Sequence, residues 1–140
     1  MMSATEIARK SAALLHADDR ATAALGIVIA TVGPGTATLS MTVRPDMTNG
    51  HGICHGGFIF TLADSAFAFA CNSYNQRCVA QHCTISYLAP AGAGARLTAT
   101  ARECQRVERN GIYDVSVSDE TGTVVAEFRG CSRTVPGTFF

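Results

Sequence analysis

The Asp64 carboxylate and the backbone donors at Gly56 and Gly57 are the groups of this chain that could attack a carbonyl carbon and hold its oxygen. They lie in one stretch, in which Asn49-Gly-His-Gly-Ile-Cys-His-Gly-Gly57 runs directly into Phe58-Ile-Phe-Thr-Leu-Ala-Asp-Ser-Ala-Phe-Ala-Phe-Ala-Cys71. A carboxylate can activate water or attack a carbonyl carbon, and oriented N–H donors can hold the oxygen that becomes negative. The first turn of a helix offers such donors, unpaired and carrying a partial positive charge. Glycine at 56 and 57 lets a substrate approach that backbone closely. From Phe58 to Cys71 the only ionisable side chain besides the cysteine is Asp64. Desolvation in an apolar helix disfavours its charged form, which raises its pKa and its usefulness as a base. The alternative is that Asp64 caps a helix beginning only at Ser65. The apolar run from Phe58 to Ala63 argues against it.

Metal chemistry is the sharpest rival. His51, Cys54 and His55 lie within five residues, and His82-Cys83 could add ligands. No paired C-x-x-C or H-x-x-x-H spacing is present, so no metal and no other cofactor is expected. Cys54 reads as a small apolar packing residue and His51 as a loop residue. Asn49-Gly50 alone is a turn signal, and Asn49 gains weight from standing six residues before His55.

These residues need elements to position them. Phe58 to about Ser73 is apolar almost all round, so a core helix over about 57–73 must be wrapped by other structure. It is too short, with a charge inside it, for a membrane span. Upstream, Ser3 and Glu6 form a capping box for an N-terminal helix over about 4–17, with Ile7, Ala8, Ser11, Leu14 and Leu15 at helical spacing. Asp18 to Ala24 reads as a second short turn ended by Gly26. Leu25 to Val32 and the alternating Thr36 to Val43, joined by Gly33-Pro34-Gly35, predict a β-hairpin. Downstream, strands are expected over Val79 to Leu88, Arg96 to Val107, Ile112 to Ser118 and Thr123 to Val135, with Pro136 to Phe140 frayed. Antiparallel strands with one wholly apolar helix predict an α+β fold, a curved sheet wrapped around that helix.

The chain has 140 residues, which suits a single domain spanning 1–140. Eleven basic residues balance eleven acidic ones, which argues against nucleic-acid and membrane partners. Ten of the basic residues are arginine, a residue suited to phosphate contacts. Six cysteines sit in apolar runs, and the first 25 residues carry charges and no continuous apolar segment. Reduced thiols and a cytoplasmic location are therefore expected.

Asn49, His55-Gly56-Gly57 and Leu62-Ala63-Asp64, with Cys83-Thr84-Ile85, Leu97 to Ala101, Tyr113-Asp-Val115 and Phe128-Arg-Gly130, resemble the hotdog-fold acyl-CoA thioesterases of the phenylacetate-degradation type. The resemblance runs from about Ala23 to Ser132. It implies a sheet wrapped around the core helix, dimers that pair into tetramers, and hydrolysis of acyl-CoA thioesters, with aryl esters such as phenylacetyl or hydroxyphenylacetyl as substrates. It also implies that Asp64 is the catalytic carboxylate, that Gly56 donates its N–H to the thioester carbonyl, and that Asn49 and His55 complete the polar site. Some relatives carry serine where this chain has Ala80, so a water held from that strand would fall to Gln81 or His82. The phosphates of coenzyme A need cationic partners; candidates are Arg106, Arg109 and Asn110 at a hairpin, with Arg129 or Arg133 on the last strand, and Gly57 beside the acyl group. Two rival functions remain: a hotdog hydratase or dehydratase, and a non-catalytic acyl-CoA-binding module.

Gly56 and Asp64 are eight residues apart, about 12 Å along one helix axis. A carbonyl oxygen must sit about 3 Å from its donor while the attacking group meets the adjacent carbon. Each active site is therefore expected to combine Asp64 of one chain with Asn49, His55 and Gly56 of another, across a two-fold axis.

Overall fold

The computed structural model covers residues 1–140. The N-terminal helix α1 (Ala4–Ala17) begins with the expected capping box. Ser3 Oγ accepts from Glu6 N at 3.2 Å, and Ser3 N donates to Glu6 Oε2 at 2.7 Å. The buried side of α1 is Ala8, Ser11 and Ala12, whereas Leu14 is 39% exposed. Small residues let α1 lie close to the sheet, with half-buried Leu15 packed against the edge of the core. A short helix α2 (Arg20–Ala24) follows, capped by Asp19 Oδ1.

Strands β1 (Val28–Gly33) and β2 (Thr36–Thr42) form the predicted hairpin. Strand β1 starts three residues later than expected, because Leu25 caps α2 and Gly26 turns the chain with φ +66°. The core helix α3 (Gly56–Cys71) is followed by β3 (Cys78–Tyr87), β4 (Arg96–Val107), β5 (Asn110–Ser118) and β6 (Val124–Thr134). All pairings are antiparallel, in the order β1-β2-β4-β5-β6-β3. Bulges in β1, β3, β4 and β6 bend and twist the sheet, which curls around α3 in the hotdog arrangement.

The helix begins one residue before the expected 57 and ends two before the expected 73. Its end is set by Asn72, whose Nδ2 donates to Ala68 O at 2.8 Å and to Cys78 O at 3.2 Å while Oδ1 accepts from Cys78 N at 2.8 Å. That one amide hands the chain from α3 to β3. Ser73 Oγ, donating to Ala70 O and accepting from Gly35 N, anchors the same corner to the β1–β2 turn.

The core joins Ile59, Leu62, Ala63, Ala66, Phe67 and Phe69 of α3 to the inward residues of the sheet, among them Leu39, Met41, Leu97, Tyr113, Val115 and Phe128. Phe67 meets Tyr113 edge-on and Phe128 at a tilt, with centroids 5.7 and 5.8 Å apart. Gly130 is needed beneath it, since a Cβ there would lie 2.7 Å from Phe67 Cδ1. The wrapping is incomplete on one side. Phe60, Thr61, Asp64, Ser65 and Ala68 are only half-buried, and their i, i+4, i+8 spacing makes one stripe along α3.

The residues 136–140 have no regular structure, yet they are not frayed as expected. Asn75 Oδ1 accepts from Phe139 N and Phe140 N, while Arg77 and Lys10 lie over the Phe139 and Phe140 rings. No helix is long and apolar enough to cross a membrane.

Candidate active site

The loop before α3 is held by its own backbone, by the 3-10 turn Pro45–Met47 and by the loop at Ala91. Residues 49–52 form a turn closed by Gly52 N donating to Asn49 O. Asn49 Oδ1 accepts from His51 N at 2.9 Å and Ile53 N at 3.4 Å, which is how an asparagine stabilises a tight turn. Cys54 N donates to Ala91 O, and His55 N to Met47 O, both at 2.7 Å. The chain therefore reaches α3 with its direction fixed.

His55 is the N-cap of α3. Its Nδ1 accepts from Gly57 N at 3.0 Å, so the imidazole proton resides on Nε2 when the ring is neutral. Phe58 N donates to His55 O at 3.0 Å. These two bonds satisfy the Gly57 and Phe58 amides and leave the Gly56 N–H with no partner. Gly57 is thereby a capped amide rather than a donor for substrate, and of the pair Gly56 alone keeps a free N–H.

Gly56 lines a cleft of about 580 Å³ together with Asn49, Ile53, Cys54, Ile59, Tyr87, Leu88, Ala89 and Pro90. Its volume falls in the range of small-molecule sites, and its walls are mostly apolar. Asn49 lines the same cleft as Gly56, and its Nδ2 has no protein acceptor. Tyr87, which the sequence reading missed, closes one wall and donates its hydroxyl to Gly56 O at 2.8 Å. Its only sequence signal is a place at the end of a strand, 31 residues from Gly56.

Asp64 does not line this cleft. It lies two turns along α3, in the half-buried stripe, where burial alone pushes its carboxyl up from the usual 3.8. It forms no ion pair, the four in the structure being Arg44–Asp46, Arg102–Asp114, Arg106–Glu103 and Arg129–Asp114. Its helical position rules out the N-cap alternative. Cys83 on β3 is close enough that its thiol is raised first by burial and then by the Asp64 charge. An unpaired carboxylate held in an apolar setting is a base or nucleophile in waiting.

The remaining sequence candidates lie elsewhere. Ala80 sits opposite Ser132 on the inward side of β3, and the register shift that follows makes Gln81 the extra residue of a bulge. Gln81 Nε2 donates to Asn110 Oδ1 at 3.0 Å and Ser132 O at 3.3 Å, so it ties strands together. His82 pairs with Cys131 on the outer side of the sheet, away from α3. Neither extends toward the free Gly56 amide within this chain. Arg106 pairs with Glu103 at 3.3 Å and stacks 3.6 Å over Tyr74, and Arg109 donates to Thr134 O. With Asn110 they border a cavity of about 40 Å³ beside Cys71 and Cys78, at the other end of a helix about 24 Å long. His51 is exposed, Cys54 is buried with its thiol raised by that burial, and no three His, Cys, Asp or Glu side chains converge as metal ligands.

The same stretch carries the likeness to known proteins. A family model described as the thioesterase superfamily matches residues 51–126. The acyl-coenzyme A thioesterase PaaI of Escherichia coli (strain K12) is 44% identical over 129 residues, covering 92% of each chain. The structure of the E. coli PaaI protein from the phenylacetic acid degradation operon has a TM-score of 0.96 at 43% identity, covering 97% of this chain and 99% of that one. A mutant of the phenylacetic acid degradation protein PaaI from Thermus thermophilus gives a TM-score of 0.81 at 41% identity, over 84% of this chain and all (100%) of the other. With the matched segment covering the Gly56 turn, Asp64 and strands β3 to β5, the chain belongs to the thioesterase superfamily.

Proposed function

We propose that this protein hydrolyses aryl acyl-CoA thioesters, phenylacetyl or hydroxyphenylacetyl esters among them, to the free acid and coenzyme A in phenylacetate catabolism. The observation that carries this reading is an apolar cleft lined by Gly56, whose N–H has no partner, at the start of the helix that also bears the unpaired Asp64 carboxylate. The Gly56 amide receives the thioester oxygen as it becomes negative, aided by the helix dipole and by Asn49 Nδ2. Asp64 delivers the attacking oxygen, through a water that it deprotonates or directly as a nucleophile. His55 acts through the backbone, as the cap that keeps Gly57 occupied and Gly56 free.

The site is completed by a second copy of this chain. Strand β3 is an edge with one side unpaired; Val79 and Tyr87 along it are 51% and 50% exposed, and Leu88 just past its end is 62% exposed. Pairing two β3 edges about a two-fold axis covers the open stripe of α3 with its antiparallel counterpart and carries each Asp64 toward the other chain's Gly56. It also brings the Arg106, Arg109 and Asn110 hairpin of one subunit nearer the cleft of the other, where it serves the coenzyme A phosphates. Pairs of such dimers form the tetramer. On this reading 1–140 is a single domain that needs no metal or other cofactor, and the six free thiols suit a reducing compartment such as the cytoplasm.

A hydratase would need His55 to exchange protons through Nε2 alone, since its Nδ1 accepts from Gly57 N. A panel of aryl and straight-chain acyl-CoAs, read by released thiol beside crotonyl-CoA hydration, separates the functions. The expected result is thiol release with the highest kcat/KM on aryl esters and no hydration. Hydration exceeding cleavage, or ester binding without thiol release, would overturn the assignment.

A further inference from the structure

We propose that Tyr87 is a positioning residue for the thioester reaction, its hydroxyl and ring fixing the Gly56 peptide so that the Gly56 N–H stays aimed into the cleft. This rests on the thioesterase reading above. Two successive glycines at the start of a helix have more backbone freedom than any other pair, and an oxyanion donor misplaced by about 1 Å forfeits much of its effect. The structure removes that freedom from both sides. The peptide before Gly56 is held by Phe58 N donating to His55 O. The peptide after it is held at its nitrogen by His55 Nδ1 and at its oxygen by Tyr87 Oη, 2.8 Å away.

The ring acts as well as the hydroxyl. A Cβ at position 56 would lie 2.8 Å from Tyr87 Cζ and 3.0 Å from Oη, so the ring lies flush against the glycine and stops the turn from rocking outward. Burial raises the Tyr87 phenol above its ordinary value of 10, so the hydroxyl keeps its proton and remains a donor across the working range. Tyr87 ends β3, opposite Ala126 of β6, and so ties the helix start to the sheet.

Tyr87→Phe keeps the ring and deletes the hydroxyl. The expected result is a kcat on phenylacetyl-CoA lower by about 3- to 10-fold, the worth of one hydrogen bond, with KM changed by less than about twofold and the thermal midpoint unmoved. A wild-type kcat, or a loss of activity that appears only with a lowered midpoint, overturns the inference. The ring is tested by reciprocal rescue: Gly56→Ala combined with Tyr87→Ala is expected to be more active than Gly56→Ala alone. A double variant no more active than Gly56→Ala shows that the ring does not press on residue 56 and overturns it too. Absence of thiol release from the wild-type protein would instead sink the thioesterase reading, and this inference with it.

Discussion

Asp64→Asn lowers kcat by about 10²- to 10⁴-fold, the usual loss when a general base is removed, while dichroism and oligomeric state remain those of the wild type. Asparagine preserves shape but can neither take a proton nor form an acyl link. The same variant has a second, opposite effect on stability. Burial raises the folded-state pKa of Asp64 above the usual 3.8, so the protonated form is the one that folding favours. A raised pKa contributes stability that is fully present below the unfolded value and is lost as pH rises through the folded one. At neutral pH the ionised carboxylate therefore costs stability, and Asp64→Asn melts higher than wild type. That advantage shrinks as pH falls toward 3.8. The acid limb of wild-type kcat/KM lies above 3.8 for the same reason, since activity needs the ionised form. A variant with near wild-type kcat, or one that melts lower at neutral pH, contradicts the role given to Asp64.

Gly56→Ala lowers kcat/KM by about 10²-fold, comparable to a shift of about 1 Å in a reacting group. The N–H survives the substitution, but the methyl group cannot coexist with Tyr87 Cζ at 2.8 Å, so the turn or the ring must move. Gly57→Ala is milder, because its Cβ meets only the His55 ring, with Nδ1 at 3.3 Å, and is otherwise exposed. Steady-state kinetics on both variants, with dichroism to verify folding, checks the ranking. Equal losses would mean that the cleft does not read the position of Gly56 in particular.

The residues show why some features could be read from sequence and others could not. The core helix was legible because Phe58 to Cys71 is apolar on nearly every face and Asp64 is conspicuous within it. The Ser3 and Glu6 capping box, the β1–β2 hairpin and the alternation of Tyr113, Val115 and Val117 in β5 follow from local chemistry that needs no distant partner. The pairing of β3 with β6 joins Cys78 to Thr134, and no local pattern encodes it. The end of α3 falls two residues before its sequence boundary because Asn72 finds its partners on β3. The tail is held where its sequence suggests fraying because Asn75 reaches 64 residues ahead to Phe139. At the site, Asp64 and the glycines at 56 and 57 stand out by type, whereas Asn49 and His55 enter as candidates through the family resemblance. That His55 serves as a cap, that Gly57 is already bonded and that Tyr87 lies on Gly56 required the fold. His82 looked usable by type, but strand parity and a bulge turn it to the outer face.

Gly56 and Asp64 share one rigid helix, about 12 Å apart along its axis, so the shared site is the claim on which the mechanism turns. Coexpressing Asp64→Ala chains with Asn49→Ala/His55→Ala chains under different affinity tags allows the mixed dimer to be isolated. In that dimer one site carries every lesion and the other carries none, provided each site draws Asp64 from one subunit and the Asn49, His55 and Gly56 turn from its partner. The expected result is two inactive parents and a mixed dimer with about half the wild-type kcat per dimer. A mixed dimer no more active than either parent would contradict it and place Asp64 in the same site as its own chain's loop.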